Sequence, residues 1–379
     1  MLKRTPLYSA HQRAGGKLIE FGGWEMPVQY SSIVDEHLAV RKSAGLFDIS
    51  HMGEVQVSGA AAADFLNHVL THDLKKLAVG QGQYTLMCNE RGGTLDDLYA
   101  YRLGEDEYFL IINASRIEPD VAWLQLQLSL WPARDRVDLR NGSDTYGAVA
   151  LQGPCSRTFV DQCFPGPSVG ALMVGKVSEL SKNQIGIFQS DDFGRLLIGC
   201  TGYTGEDGFE IIAEANRIER VWERILSVGH SAGCQPAGLG ARDTLRTEMG
   251  YPLYGHELDE NTSPIEAGLG YFVSLDKSDF IGRSVLAEQK AKGVSKRCVA
   301  FRMAEKTAPP RPGYSIWIPG GSSAVGQVVS GTQSPSLGCG IGMGYVPPAI
   351  SALGTALEIE VRGRKWPATV VKKPIYLRA

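Results

Sequence analysis

Two adjacent aspartates, Asp96 and Asp97, stand in the middle of a half-apolar stretch that reads as a strand. Aspartate is depleted in strands, so a pair there needs a chemical reason. Alternation sends the two side chains to opposite faces. Asp97 shares its face with Leu95, Tyr99, Tyr101 and Leu103, and Asp96 shares the other with Thr94, Leu98, Ala100 and Arg102. A carboxylate among aromatic rings is costly to bury unless something polar pairs with it. A polar heterocycle stacked on tyrosine is such a partner. The ordinary alternative is a pair of carboxylates near a strand end, solvated or bonded to turn amides. That is the expectation for Asp96, whereas Asp97 is read as the inward group.

Two further segments offer complementary chemistry. In Thr201-Gly-Tyr-Thr-Gly-Glu-Asp-Gly-Phe-Glu-Ile-Ile212, Glu206 and Asp207 fall in a turn and are expected to be solvent-exposed. Glu210 lies in the following strand, on the face of Gly208 and Ile212, where the glycine leaves room for a ligand and the glutamate supplies an acceptor. Its alternative is a charged edge position that discourages aggregation. In Gly238-Leu-Gly-Ala-Arg-Asp-Thr-Leu-Arg-Thr-Glu-Met-Gly250, Arg242 shares a helix face with Leu245 and Met249. A guanidinium on an apolar face suits bidentate carboxylate recognition. The alternative is an intrahelical pair nearby, such as Asp243 with Arg246 or Thr247. Together these groups suit a flat, polar heterocycle with amide-like edges and an anionic tail, which describes pterins and other ligands.

Other motifs are weaker. His68 and His72 have the i, i+4 spacing of two metal ligands on a helix, but with no third ligand they read as surface histidines. His51, in Ser50-His-Met-Gly53, reads as a structural histidine rather than a proton carrier. There is no nucleophile elbow, phosphate loop or dinucleotide fingerprint, which disfavours a nucleotide-dependent enzyme.

These residues need a scaffold, and the chain reads as α+β without regular βαβ alternation. Helices are expected over 32–44, with Gly45 as the stop, and over 60–70, 155–163, 240–249 and 283–292. Stripes at Ile117, Val121, Leu124 and Leu128 and at Ile218, Val221, Trp222, Ile225 and Leu226 mark two more. Strands are expected near 54–57, 108–113, 148–152, 196–200 and 209–213. The aspartate pair sits on the second arm of a hairpin turning through Asn89–Gly93. After about residue 295, helical periodicity gives way to short alternating segments near 298–303, 314–318, 325–330, 339–346, 357–361 and 369–373, the pattern of a separate all-β barrel or sandwich. The expected division is residues 1–290, as two interleaved subdomains, and 296–379.

A length of 379 residues suggests two or three domains. A hydrophobic content of 43%, a charged content of 21% and a net charge of −3 describe an ordinary soluble protein and argue against a nucleic-acid binder. No apolar run reaches the ~18 residues of a membrane span, and no secretory leader is evident. The seven cysteines are scattered without a C-x-x-C pair, which favours reduced thiols in the cytoplasm.

In this order, the segments resemble the T-protein of the glycine cleavage system, the folate-binding aminomethyltransferase family. The resemblance spans the chain: Phe21-Gly-Gly-Trp-Glu-Met-Pro27, Phe47-Asp-Ile-Ser-His-Met-Gly-Glu54, Gly92-Gly-Thr-Leu-Asp-Asp97, Leu151-Gln-Gly-Pro154, Gly202-Tyr-Thr-Gly-Glu-Asp-Gly-Phe-Glu210, Gly238-Leu-Gly-Ala-Arg-Asp243 and Asp259-Glu-Asn261. It implies a three-part cloverleaf around a tetrahydrofolate site, with two N-terminal α+β subdomains and a C-terminal all-β barrel. It also implies the reaction. The one-carbon unit passes from S-aminomethyl-dihydrolipoyl H-protein to tetrahydrofolate, releasing ammonia and forming 5,10-methylenetetrahydrofolate. The implied partner is the lipoylated H-protein, linked functionally to the P- and L-proteins; no nucleic acid, membrane, metal, flavin or nucleotide is expected. By position, Asp97 matches the family's critical aspartate, Glu210 a glutamate that reads the pterin edge, and Arg242 an arginine near folate. Tyr84, Tyr101, Asn113, Tyr203 and Tyr251 match pocket positions. The family often adds a residue from its C-terminal tail; no role is carried over onto Arg378.

Two other readings share the fold: a tetrahydrofolate-dependent demethylase, and a non-catalytic folate-binding accessory protein. The accessory relatives carry a Lys-Gly-Cys motif, whereas this chain has Tyr254-Gly-His-Glu-Leu-Asp-Glu260 with no cysteine nearby.

Overall fold

The computed structural model describes residues 2–305 and 307–378. The chain divides into two compact units, one of Met1–Thr85 with Asp96–Arg242, the other of Leu86–Leu95 with Asp243–Ala379.

The first unit is built on two large antiparallel-rich sheets and the small hairpin of Lys17–Phe21 with Trp24–Gln29; the tip Leu86–Leu95 of the five-stranded sheet is counted with the second unit. A five-stranded sheet has the order Gly82–Cys88, Thr94–Gly104, Glu107–Ile112, Gly53–Ser58, Asp138–Asn141. A seven-stranded sheet has the order Gly170–Ala171, Ile185–Ser190, Gly194–Gly199, Gly208–Glu214, Tyr146–Gln152, Ala44–Asp48, Cys234–Pro236. The helices Ser156–Cys163 and Ile218–Gly229 cover one face of the larger sheet. There Val149, Leu151, Ile198 and Ile211 meet Phe159, Val221, Trp222 and Ile225 in one buried cluster. Each such side chain contributes roughly 1.5–3 kcal/mol on leaving water. The helical stripe read around Trp222 is therefore the core-facing side of its helix.

The sequence expectations held for most elements, with shifted ends. The helix expected at 32–44 runs Ile33–Lys42, and Ser32 caps it by accepting from the Asp35 amide at 3.1 Å. Gly45 is not its stop: it lies inside the strand Ala44–Asp48, which follows the helix almost without a loop. That strand was missed because its five residues are buried on both faces and show no alternation. The hairpin carrying the aspartates forms as read. Gly92 takes φ +78°, and the Asn89 side chain accepts from the Arg91 and Gly93 amides at 3.0 Å each.

The second unit contains a closed six-stranded barrel in the order Arg297–Met303, Gly340–Val346, Ala324–Gln333, Ser315–Trp317, Ala356–Val361, Arg364–Val371. Closure leaves the barrel without a free edge. Val299, Phe301, Ile316, Val328, Ile359 and Val370 fill it. Buried Arg246, on the helix Leu239–Met249, pairs with Glu257 at 3.1 Å and donates to Ser330 Oγ at 2.8 Å.

Among the described residues, no helix is long and apolar enough to cross a membrane, and no group of three or more His, Cys, Asp or Glu residues could hold a metal ion.

Candidate active site

The strand Thr94–Gly104 presents the face that alternation assigns to Asp97. Its register sets Tyr99 opposite Ile111 and Tyr101 opposite Phe109, so Asp97, Tyr99 and Tyr101 point the same way. On the seven-stranded sheet, Gly199 pairs with Glu210, Glu210 with Ala150, and Ala150 with Phe47. These four positions therefore share one face. The two faces meet at Tyr101: a Cβ built on Gly199 would lie 2.6 Å from the Tyr101 hydroxyl oxygen. Only glycine at 199 admits this contact. Asp97, Tyr101 and Glu210 are thereby gathered into the space between the sheets.

The half-buried Asp97 carboxylate has two neutral partners. Tyr84 donates its hydroxyl to Oδ2 at 2.8 Å, and the Asn113 amide donates to Oδ1 at 3.0 Å. Burial, and then the neighbouring charge of Asp96, push the Asp97 pKa up to about 7, while the bonds from Tyr84 and Asn113 hold it down. Asp97 thus changes charge near neutrality, the range in which a carboxyl can both accept and return a proton.

Asp96 departs from expectation. It is completely buried rather than solvated. Its Oδ1 accepts from Asn113 Nδ2 at 2.8 Å and its Oδ2 from the Asn113 amide at 3.0 Å. The face assignment was correct, but the opposite face of this strand is also covered, because Asp120 of the helix Ile117–Leu130 meets Asp96 there. Asp120 was missed. The available signal was its spacing of three from Ile117 and four from Leu124, which puts it in the buried stripe.

Around this centre, the Arg242 guanidinium lies over the Tyr203 ring, 4.7 Å from its centroid. Burial raises the Glu210 pKa and the Arg242 charge opposes the rise. The intrahelical pair named as the alternative does form, between Asp243 and Arg246 at 2.7 Å. The hydroxyls of Tyr99 and Tyr101 are buried close to Thr201. Tyr251 belongs to the second unit, where its amide donates to the Arg246 carbonyl at 3.0 Å.

Several polar residues settle into structural roles. Glu206 is not solvent-exposed: its side chain is buried against Arg41 at 2.9 Å, because the turn folds back over the helix Ile33–Lys42. Asp207 is exposed as expected. His51 is buried edge-on to Phe21, and burial, then the charge of Arg242, lower its pKa to about 4. His72 donates from Nδ1 to the Tyr84 carbonyl at 3.0 Å, and the His68 ring packs on Trp131. Glu54, whose register partner is Ile111, shares the face of Asp97 and Tyr99. Both its carboxyl oxygens lack a partner among the described residues, and burial raises its pKa well above the usual range.

Comparison with known proteins gives one answer. Residues 7–277 match the GCVT N-terminal domain, and residues 296–376 match the glycine cleavage T-protein C-terminal barrel domain. An aminomethyltransferase of Bacillus subtilis is 46% identical, with all of both chains covered. One from Halalkalibacterium halodurans is 43% identical, covering 100% of this chain and 99% of its own. The crystal structure of glycine cleavage system aminomethyltransferase T from Bartonella henselae superposes with a TM-score of 0.89 at 34% identity, covering 100% of this chain and 99% of that one. With both family regions matched in order and full-length relatives at this identity, the chain belongs to the glycine cleavage T-protein family of aminomethyltransferases.

Proposed function

We propose that this protein is the aminomethyltransferase of the glycine cleavage system, moving a one-carbon unit from S-aminomethyl-dihydrolipoyl H-protein to tetrahydrofolate. The observation that carries the reading is Asp97: a half-buried carboxylate held by Tyr84 and Asn113, its pKa pushed up to about 7, on a face shared with Tyr99 and Tyr101. The arrangement fits a pterin, whose ring stacks on tyrosine and whose amide-like edges pair with carboxylates. Folate supplies two nitrogens that take up the one-carbon unit.

The chain's own groups divide the remaining work. Asp97 binds on the nitrogen side and carries a proton. Two hydrogens leave the folate nitrogens, one ending on the departing ammonia and one on the lipoyl thiolate. A carboxyl that titrates near neutrality can ferry them. Its negative form also stabilises positive charge developing at the transferred carbon. Glu210 accepts from the pterin's donor edge. Arg242, aligned on Tyr203, offers charge to an anionic group, and Tyr84 and Asn113 hold Asp97 in place. Residues 1–290 are taken as the folate-binding region and 296–379 as the barrel domain. A cytoplasmic setting, shared with the H-protein, follows from this reading.

The demethylase and accessory readings are not favoured, since the full-length relatives carry the name aminomethyltransferase. The deciding experiment mixes the purified protein, tetrahydrofolate and aminomethyl-loaded H-protein, then measures ammonia and methylenetetrahydrofolate. Ammonia release that does not depend on tetrahydrofolate sinks the assignment.

A further inference from the structure

We propose that Asp96 and Asp120 form a proton-sharing carboxyl pair that positions Asn113 and, through it, sets the charge state of Asp97. The inference rests on the reading of Asp97 as the working carboxylate and assigns a role to two acids that the reaction itself leaves unused.

The geometry begins with burial. Asp96 is 0% exposed and Asp120 1% exposed. Their carboxyls lie within hydrogen-bond reach of each other. Two carboxylates have only acceptors, so a bond between them requires a proton. Asp120 Oδ2 has no hydrogen-bond partner among the described residues, and Asp120 Oδ1 has only a long contact, 3.4 Å, to Arg116 Nε. A proton held between the carboxyls is the one donor the pair can supply itself. Like charges buried side by side cannot both ionise at modest pH.

The groups facing the pair agree. Asp97 follows on the same strand, Asn113 comes directly after the next strand, Glu107–Ile112, and Arg116 precedes Asp120 by one helical turn. Burial, and then the charge of Asp120, raise Asp96 well above the carboxyl range. Asp120 is pushed up to about 7 by burial, opposed by its bond to Asp96 and by Arg116. The pair titrates as a unit that keeps one proton through neutrality, its remaining charge balanced by Arg116.

Asn113 transmits this state. Its Nδ2 lies 2.8 Å from Asp96 Oδ1, 3.0 Å from Asp97 Oδ1 and 2.9 Å from the Asp97 carbonyl. Those two hydrogens serve three acceptors. A fully ionised Asp96 competes harder for them and repels charge on Asp97 more strongly; a proton shared with Asp120 weakens both effects. Asp96 and Asp120 are positioning residues, acting through Asn113.

The test is Asp120→Asn, which removes the shared proton and whose amide, donating to Asp96, favours its charged form beside Asp97. The acid limb of the kcat/KM pH profile is expected to move up by roughly one unit. In infrared difference spectra of the free protein, wild type minus variant should show the protonated-carboxyl stretch of the pair once the band of Asp97, followed by its own titration, is subtracted. No difference band, or an unmoved acid limb in a folded variant, overturns the proposal. Should the variant fail to fold, an infrared pH titration of the wild type decides. Both carboxyls ionising in the ordinary acid range overturns the pair, and a proton kept through neutrality supports it. The infrared readout needs no turnover, so failure of the assigned reaction is seen separately.

Discussion

Tyr84 donates its hydroxyl hydrogen to Asp97 Oδ2 at 2.8 Å, so a neutral phenol steadies the carboxylate at the centre of the site. Such a donor favours the ionised form without cancelling its charge. Burial also raises the Tyr84 pKa, which keeps the phenol protonated and able to donate. Tyr84→Phe removes the bond and keeps the ring. Hydrogen bonds to charged groups are worth about 1.5–3 kcal/mol, so kcat/KM at neutral pH should fall about 10- to 100-fold. The acid limb should move to higher pH, because the carboxylate loses a stabilising donor. A pH–rate profile checks both, and an unmoved limb refutes the role given to Tyr84.

Asp97→Asn should separate activity from stability. The folded pKa of about 7 lies above the unfolded carboxyl value. Between pH ~4 and ~7 the unfolded chain has released its proton while the folded one keeps it, so stability falls as pH rises through that window and levels off above it. The asparagine carries no such charge. At neutral pH the variant should lose most activity and gain up to about 4 kcal/mol of stability. Denaturant unfolding at two pH values measures this, and a variant less stable than wild type at neutral pH contradicts it.

Glu210 and Arg242 should act on folate rather than on the protein partner. Glu210→Gln keeps the shape and replaces one acceptor with a donor, so KM for tetrahydrofolate should rise about 10-fold or more while KM for H-protein stays near its original value. Arg242→Met removes the charge that opposes protonation of Glu210. Folate affinity should then weaken more steeply as pH falls than in the wild type. Titration calorimetry with tetrahydrofolate at several pH values distinguishes the two variants; equal pH dependence in wild type and Arg242→Met excludes the coupling.

Arg246 is a purely structural counterpart. Its guanidinium is buried with Glu257 at 3.1 Å, Asp243 at 2.7 Å and Ser330 at 2.8 Å. Arg246→Met leaves Glu257 as a buried charge without its cation, at a cost of about 3–5 kcal/mol. Adding Glu257→Gln should recover part of the loss. Equilibrium unfolding of the single and double variants tests this, and a single variant as stable as wild type rules it out.

Period-two alternation alone separated Asp97 from Asp96, and the two carboxyls meet different neighbours, Tyr84 for Asp97 and Asp120 for Asp96. The helical stripes at Ile117 and Ile218 and the barrel segments after residue 295 were equally legible, because local periodicity records which face a segment buries. Solvent exposure was legible for Asp207 but not for two other acids. Asp96 was expected to be solvated or bonded to turn amides, yet it is fully buried and Asp120 of the helix Ile117–Leu130 meets it. Glu206 was read as an exposed turn residue, yet it pairs with Arg41, far away in sequence. The strand Ala44–Asp48, buried throughout, had no pattern to reveal it.

Side-chain types, spacing and face thus followed from the chain itself, since each depends on residues a few positions apart. The charge state of Asp97, the company of Asp96 with Asp120 and the meeting of Tyr101 with Gly199 depend on segments distant in sequence that only packing brings together. Desolvation, the largest cause of the raised Asp97 pKa, is a property of that packing and of no single strand.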